Sequence, residues 1–146
     1  MKTAAQLLKL KAEQNRQVHS ITPEAMVLEA LKIMAEKNVG ALPVIEAGQV
    51  VGVISERDYA RKVVLQGRSS VGTPVRAIMS SPVVTADSQQ SIERCMAVMT
   101  DSHLRHLPVL EAGQLIGLLS IGDLVKQASV EQASLIQQLE HYIRGD

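Results

Sequence analysis

The feature that most constrains the fold is an internal repeat. Displacing the chain by 65 positions lays Leu42-Pro43-Val44-Ile45-Glu46-Ala47-Gly48-Gln49 over Leu107-Pro108-Val109-Leu110-Glu111-Ala112-Gly113-Gln114 without a gap. The register holds on both sides of this block. Gly52 falls on Gly117, Ser55 on Ser120 and Asp58 on Asp123, while upstream Val18 meets Val83, Val27 meets Ile92 and Met34 meets Met99. A chain that repeats itself this way builds one supersecondary unit twice.

Within each copy the pattern changes period. Thr22-Pro23 in the first copy, and Asp87 followed by Gln90 in the second, read as helix starts. Val27, Ala30, Leu31, Met34 and Ala35, like Ile92, Cys95, Met96 and Met99, then recur at helical spacing and give each helix one apolar stripe. β-Branched runs follow, Ala41 to Ile45 with Val50 to Ser55, and His106 to Leu110 with Leu115 to Ser120, each pair split by a Gly-containing turn. These predict two β-hairpins. A second helix is expected after each, over 56–65 with Gly67 just beyond, and over 121–128. The fold class is therefore α/β: tandem β-α-β-β-α motifs over 18–66 and 83–128, packed sheet to sheet as one pseudo-twofold module. Residues 67–82 form a linker whose Thr73-Pro74 starts a short helix through Met79. Extra terminal helices are expected over 1–17 and 129–146. Their apolar residues (Leu7, Leu8 and Leu10; Leu135, Ile136, Leu139, Tyr142 and Ile143) either cap the module or supply a dimer interface.

Composition narrows the function. Lys plus Arg equals Asp plus Glu, 15 each, and no charge block steers the chain toward nucleic acid or anionic lipid. Phe and Trp are absent and there are two Tyr, so platforms for stacking bases are scarce. Neither partner class is expected. No apolar run is long enough to span a bilayer or to read as a signal peptide, and the single cysteine, Cys95, excludes an intrachain disulfide framework. A cytoplasmic protein is expected. Cys95 lies on the apolar stripe of its helix, where a buried, inert thiol is the reading, and Met26, Met34, Met96 and Met99 read as core filler.

The strand-to-helix junctions, Gly-Val-Ile-Ser-Glu-Arg-Asp and Gly-Leu-Leu-Ser-Ile-Gly-Asp, carry two readings. Ser55 and Ser120 are natural N-caps, and an acidic residue three positions later forms a capping-box-like arrangement. Yet free N–H groups, a hydroxyl and a carboxylate at one helix start also suit a ligand with a phosphate and a sugar diol. His103 and His106 are likewise either half-buried surface histidines or ligand contacts. His-x-x-His on an extended segment is weak as a zinc site, and no metal is expected.

The whole pattern resembles the CBS-domain family over about Val18 to Lys126. It rests on Ala-Leu-Pro-Val and His-Leu-Pro-Val before the hairpin turns, Gly-x-x-Ser-x-x-Asp after them, and their recurrence at one shift. The flanking residues look like the small stand-alone CBS-pair proteins of bacteria and of plant organelles. Paired motifs of this family form a Bateman module that binds adenosine-containing ligands. The resemblance thus implies Asp58 and Asp123 at the ribose hydroxyls, and Ser55 and Ser120 at the sugar or phosphate. It implies the segments around Ser20-Ile21 and Thr85-Ala86 at the base. Val39-Gly40-Ala41, with Leu104-Arg105-His106 opposite, would wall the adenine and meet the phosphates. The second copy offers His103, Arg105 and His106 where the first has Asn38, Gly40 and Ala41, so phosphate affinity should depend on Arg105 and His106, helped by Arg57.

The implied function is a ligand sensor for AMP, ADP or ATP, with NAD(H) close behind, signalling through homodimer geometry or a regulated partner protein. The alternative is an interaction module with vestigial clefts. An enzyme is not expected, since no nucleophile elbow, Walker loop or metal motif is present.

Overall fold

The computed structural model describes residues 2–12 and 18–144. Helix α1 covers Ala4–Ala12, shorter than the helix expected over 1–17, of which 2 and 3 are not helical and 1 and 13–17 lie outside the described residues, as do 145 and 146. The first copy then runs through α2 (Val27–Lys37), β1 (Ala41–Glu46), β2 (Gln49–Ser55) and α3 (Glu56–Tyr59), which continues as a π-helical turn over Ala60–Val64. The linker makes a 3-10 turn, Val75–Ala77. The second copy follows as β3 (Ala86–Asp87), α4 (Ile92–Asp101), β4 (His106–Glu111), β5 (Gln114–Ser120) and α5 (Ile121–Arg144).

The hairpins pair in identical registers, Ala41 to Ser55 with Ala41 opposite Ser55, and His106 to Ser120 with His106 opposite Ser120. Both turns place Ala-Gly at positive φ, 51° and 76° for Ala47-Gly48, 50° and 79° for Ala112-Gly113. That is the two-residue turn whose twist matches the strands. The leading strand of each copy pairs parallel with the hairpin, through β3 on β4 in the second copy and a lone bridge, Ile21 to Val44, in the first. Pro43 is tolerated in β1 because its missing N–H lies on the side where Ile21 donates to its carbonyl and the neighbouring strand stops.

Three expectations need correction. Helix α2 starts at Val27 rather than at Thr22-Pro23, and α4 starts at Ile92 with Ser91 as N-cap. Asp87 and Gln90 instead close a turn, the Gln90 side chain accepting from the Asp87 amide at 2.8 Å. The cap chemistry is local and the same residues serve a tight turn as readily as a helix. Met26, the residue before α2, is exposed rather than core, whereas Met34 and Met99 are buried. The separate helices expected over 121–128 and 129–146 are one continuous helix, since no glycine or proline interrupts 123–144. Copy one lacks this extension because Gly67, at φ 68°, ends its helix.

Two cores result, built from equivalent residues. Ile21, Val27, Ala30, Met34, Leu42, Val44 and Ile54 fill the first; Ala86, Ile92, Cys95, Met99, Leu107, Val109 and Leu119 fill the second. Cys95 thus stands where the first copy has Ala30, and burial pushes its thiol pKa up, which keeps it inert. Each core is closed by a segment outside the repeat. In the first, Val27 donates to Thr73, and Val75 and Arg76 donate to Ala25 and Pro23; Val75 and Ile78 are buried there. In the second, Ile92 donates to Lys2, and Ala4 and Ala5 donate to Gln90 and Ser88; Ala4 and Leu7 are buried there. The start of the chain therefore crosses over to complete the second copy, so α1 caps the module. The sheets meet where β2 approaches β5.

Candidate ligand-binding clefts

The two junctions singled out by the repeat are both capping boxes. Ser55 Oγ accepts from the Asp58 amide at 3.1 Å and Asp58 Oδ2 accepts from the Ser55 amide at 2.9 Å. The Ser120 pair gives 3.1 and 2.8 Å. The structural role of these residues is real, and it leaves a carboxylate fixed at the start of each helix. The question is what each carboxylate faces.

Asp58, its side chain 13% exposed, borders a cavity. Ser55 and Arg57 line it too, and its ≈ 520 Å³ is within the range of about 300–1,000 Å³ common for small-molecule sites. The opposite wall comes from the second copy: Val83 and Val84 below, then His103, Leu104, Arg105 and His106. The basic residues of copy two therefore face the Ser and Asp of copy one. Arg61, one helical turn beyond Arg57, lines the same cavity. Desolvation first, then the Arg105 and Arg61 charges, lower the pKa of the Arg57 guanidinium. Three guanidiniums so close together attract an anion. Lys62 approaches Asp58 Oδ1 only at 3.4 Å and points its ammonium at the Ile78 carbonyl, 2.9 Å away.

The pseudo-symmetric cleft is different. It measures ≈ 200 Å³ and is walled by Val39, Gly40 and Ala41 with Val18 and His19, the counterparts of Leu104, Arg105, His106, Val83 and Val84. Ser120 reaches it but Asp123 does not line it. Lys11 of α1 lies there instead, its Nζ donating to Asp123 Oδ2 at 2.8 Å and to the Leu118 carbonyl at 2.9 Å. Burial alone would raise the Asp123 pKa. The hydrogen bond from Lys11, with those from Ser120, outweighs it and holds the carboxyl below its ordinary value.

His106 lines both cavities. Burial first, then the Lys11 charge, lower its pKa, with Asp123 and Asp58 opposing. It is therefore neutral at pH 7, able to donate through one ring nitrogen and accept through the other.

Of the expected site residues, the structure brings Ser55, Arg57, Asp58, Leu104, Arg105 and His106 together in one cavity, and Val39, Gly40, Ala41 and Ser120 in the other. Asp123 is paired with Lys11 and does not line the second cavity. At the positions expected around the base, Ile21 and Ala86 are core, held by strand pairing, and the cavity linings contain Val18-His19 and Val83-Val84 rather than Ser20-Ile21 and Thr85-Ala86. The register carries over the pairing of the two copies but not where the strand bends out of the core. Lys11 lies outside the repeat, so the register could not reveal it. Arg61 had a visible signal, its four-residue spacing from Arg57 on one helix face.

Among the described residues no group of His, Cys, Asp and Glu could hold a metal ion, and no helix is long and apolar enough to cross a membrane.

Comparison with known proteins agrees with this architecture. The CBS domain family model matches residues 13–65 and 75–129. The mitochondrial CBS domain-containing protein CBSX3 of Arabidopsis thaliana is 40% identical over 129 residues, which cover 85% of this chain and 63% of that protein. The chain thus spans less than two thirds of that relative's length. A solved structure of a protein with CBS domains from Burkholderia ambifaria superposes with a TM-score of 0.82 at 50% identity, covering 90% of this chain and 96% of the other. The CBS domain protein PAE2072 of Pyrobaculum aerophilum, solved in complex with AMP, superposes with a TM-score of 0.73 at 27% identity, covering 84% and 89%.

Proposed function

The chain belongs to the CBS-domain family and carries its domain twice, and from that premise we propose that this regulatory module senses an adenosine nucleotide bound in the Asp58 cleft. The observation that carries this reading is the composition of that one cavity. The first copy brings a fixed carboxylate and hydroxyl with Arg57 and Arg61, and the second brings apolar Val83, Val84 and Leu104 with Arg105. Asp58 accepts from the ribose diol, the apolar residues cover the base, and the guanidiniums hold phosphate. AMP is the first candidate, with ADP, ATP and then NAD(H) behind it. The AMP complex of PAE2072 supports placing AMP first.

Binding draws the copies together across the cleft, since Asp58, Arg57 and Arg61 come from the first copy while Arg105 and the apolar base wall come from the second. The change reaches a second copy of the chain, or a partner protein, through α5, whose outer half leaves Val130, Ile136 and Leu139 exposed. We place the protein in the cytoplasm, where the buried free thiol of Cys95 stays reduced.

A thermal-shift panel of AMP, ADP, ATP, NAD, NADH and S-adenosylmethionine tests the reading. A ligand at a hundred times its Kd adds roughly 2.7 kcal/mol, a rise of about 5–10 °C in Tm for a domain of this size. AMP should give such a rise, and Asp58→Ala should remove it. Flat melting curves with every nucleotide would refute it.

A further inference from the structure

We propose that Lys11 sets the ligand stoichiometry: it closes the Asp123 cleft against a ribose, so that each chain holds one nucleotide, in the Asp58 cleft. The inference rests on the nucleotide reading above and concerns which of two matched sites can act on it.

The two junctions are equivalent in register and in capping geometry, so the different state of the two carboxylates has its cause in what packs beside each of them. That cause is visible. In one cleft the carboxylate lines the cavity, and Lys62 donates to the Ile78 carbonyl at 2.9 Å while standing 3.4 Å from Asp58 Oδ1, outside the cavity lining. In the other Lys11 lines the cavity and the carboxylate does not. Lys11 Nζ sits 2.8 Å from Asp123 Oδ2, in the place where a diol hydroxyl would donate. The anchor is firm, because the same ammonium also donates to Leu118 and the helix that carries it is packed into the second core through Ala4 and Leu7. Leu8 of the same helix sits over Gly117 and narrows the cavity from that side. Both side chains line this cavity, which measures ≈ 200 Å³ against ≈ 520 Å³ for the Asp58 cleft. The segment in the same place on copy one, ending in Ile78 and Met79, brings no cation to Asp58.

Isothermal titration of the full chain with AMP, and in parallel with ATP, tests this. One equivalent per chain is expected, lost in Asp58→Ala. Lys11→Met keeps the apolar stem and frees Asp123, and a second equivalent should appear, with a Kd about tenfold or more weaker than the first because, among the described residues, no guanidinium lines that cavity. Lys11→Gln serves the same end if the methionine variant fails to fold, and adding Asp123→Asn to either should remove the second equivalent again. Two equivalents in the unaltered chain, or one equivalent that persists unchanged in every folded Lys11 variant, would overturn the inference while leaving nucleotide binding in place. No heat with either nucleotide, in the unaltered chain and the Lys11 variants alike, would overturn the nucleotide reading itself and this inference with it.

Discussion

The two copies have interchangeable cores and unlike clefts. Ala30 and Cys95, Met34 and Met99, Leu42 and Leu107, and Ile54 and Leu119 occupy the same places in the two cores. Both hairpins share one register and both junctions one capping box. The clefts between the copies diverge because each draws its walls from both copies and from a closing segment. The Asp58 cleft gathers Arg105 and His106 from across the pseudo-twofold, while the Asp123 cleft receives Gly40 and Ala41, and then Lys11 from α1. A repeat conserves what each unit needs to fold; what lies between units is set by differences that folding tolerates.

Truncating matched core residues challenges the likeness most severely. Ile54→Ala and Leu119→Ala, both at positions fully buried, should each cost about 2–5 kcal/mol. Because the closing segments tie the copies together, each should lower a single denaturation transition followed by circular dichroism. Two resolved transitions would show independent halves.

The matched glycines should separate the copies at intermediate size. A Cβ at Gly52 would lie 2.9 Å from the Ser80 carbonyl oxygen, and Ser80 is pinned by paired backbone hydrogen bonds to Val53. A Cβ at Gly117 would meet the Leu8 side chain first, at 2.5 Å, and that flexible side chain can turn away. Gly52→Ala should cost about 2–3 kcal/mol and Gly117→Ala about 1 kcal/mol in urea denaturation. Equal losses would mean that Leu8 is as rigid as a backbone.

The turns should restore the likeness. Ala47 and Ala112 both hold φ near 50°, where Asn is favoured, so Ala47→Asn and Ala112→Asn should each add about 0.5–1 kcal/mol. A gain at one turn alone would show that the hairpins are strained unequally.

The smallest effect is a pH slope carried by His106, whose counterpart Ala41 cannot titrate. Its folded pKa lies below the unfolded value near 6.5, so between the two values the unfolded chain binds the extra proton. The contribution to stability is therefore complete above pH 6.5 and declines as pH falls below it. His106→Asn should flatten that decline in denaturation series between pH 7.5 and 5.5, and an unchanged slope would place the titrating group elsewhere.

Much of this architecture could be read from the residues. The ungapped register located both hairpins, both capping boxes and the pairing of core positions, because those depend on local alternation and helical spacing. Helix starts were less legible: Thr22-Pro23 and Asp87 have the chemistry of caps, but turn and cap use the same side-chain hydrogen bonds. The uninterrupted run from Asp123 to Arg144 lacked any helix stop, and that signal was present though the repeat boundary obscured it. In the site, Arg105 and His106 stood out by contrast with Gly40 and Ala41. Which Asp they face depends on the packing of one copy against the other, and Lys11 reaches Asp123 only because the start of the chain crosses to the second core.

The most direct measurement is a crystal structure of the chain grown with saturating AMP. The expected result is one nucleotide per chain, its ribose on Asp58 and its phosphate among Arg57, Arg61 and Arg105, with Lys11 still on Asp123. A nucleotide in the Asp123 cleft, alone or beside a second one, would contradict the assignment of function to the Asp58 cleft.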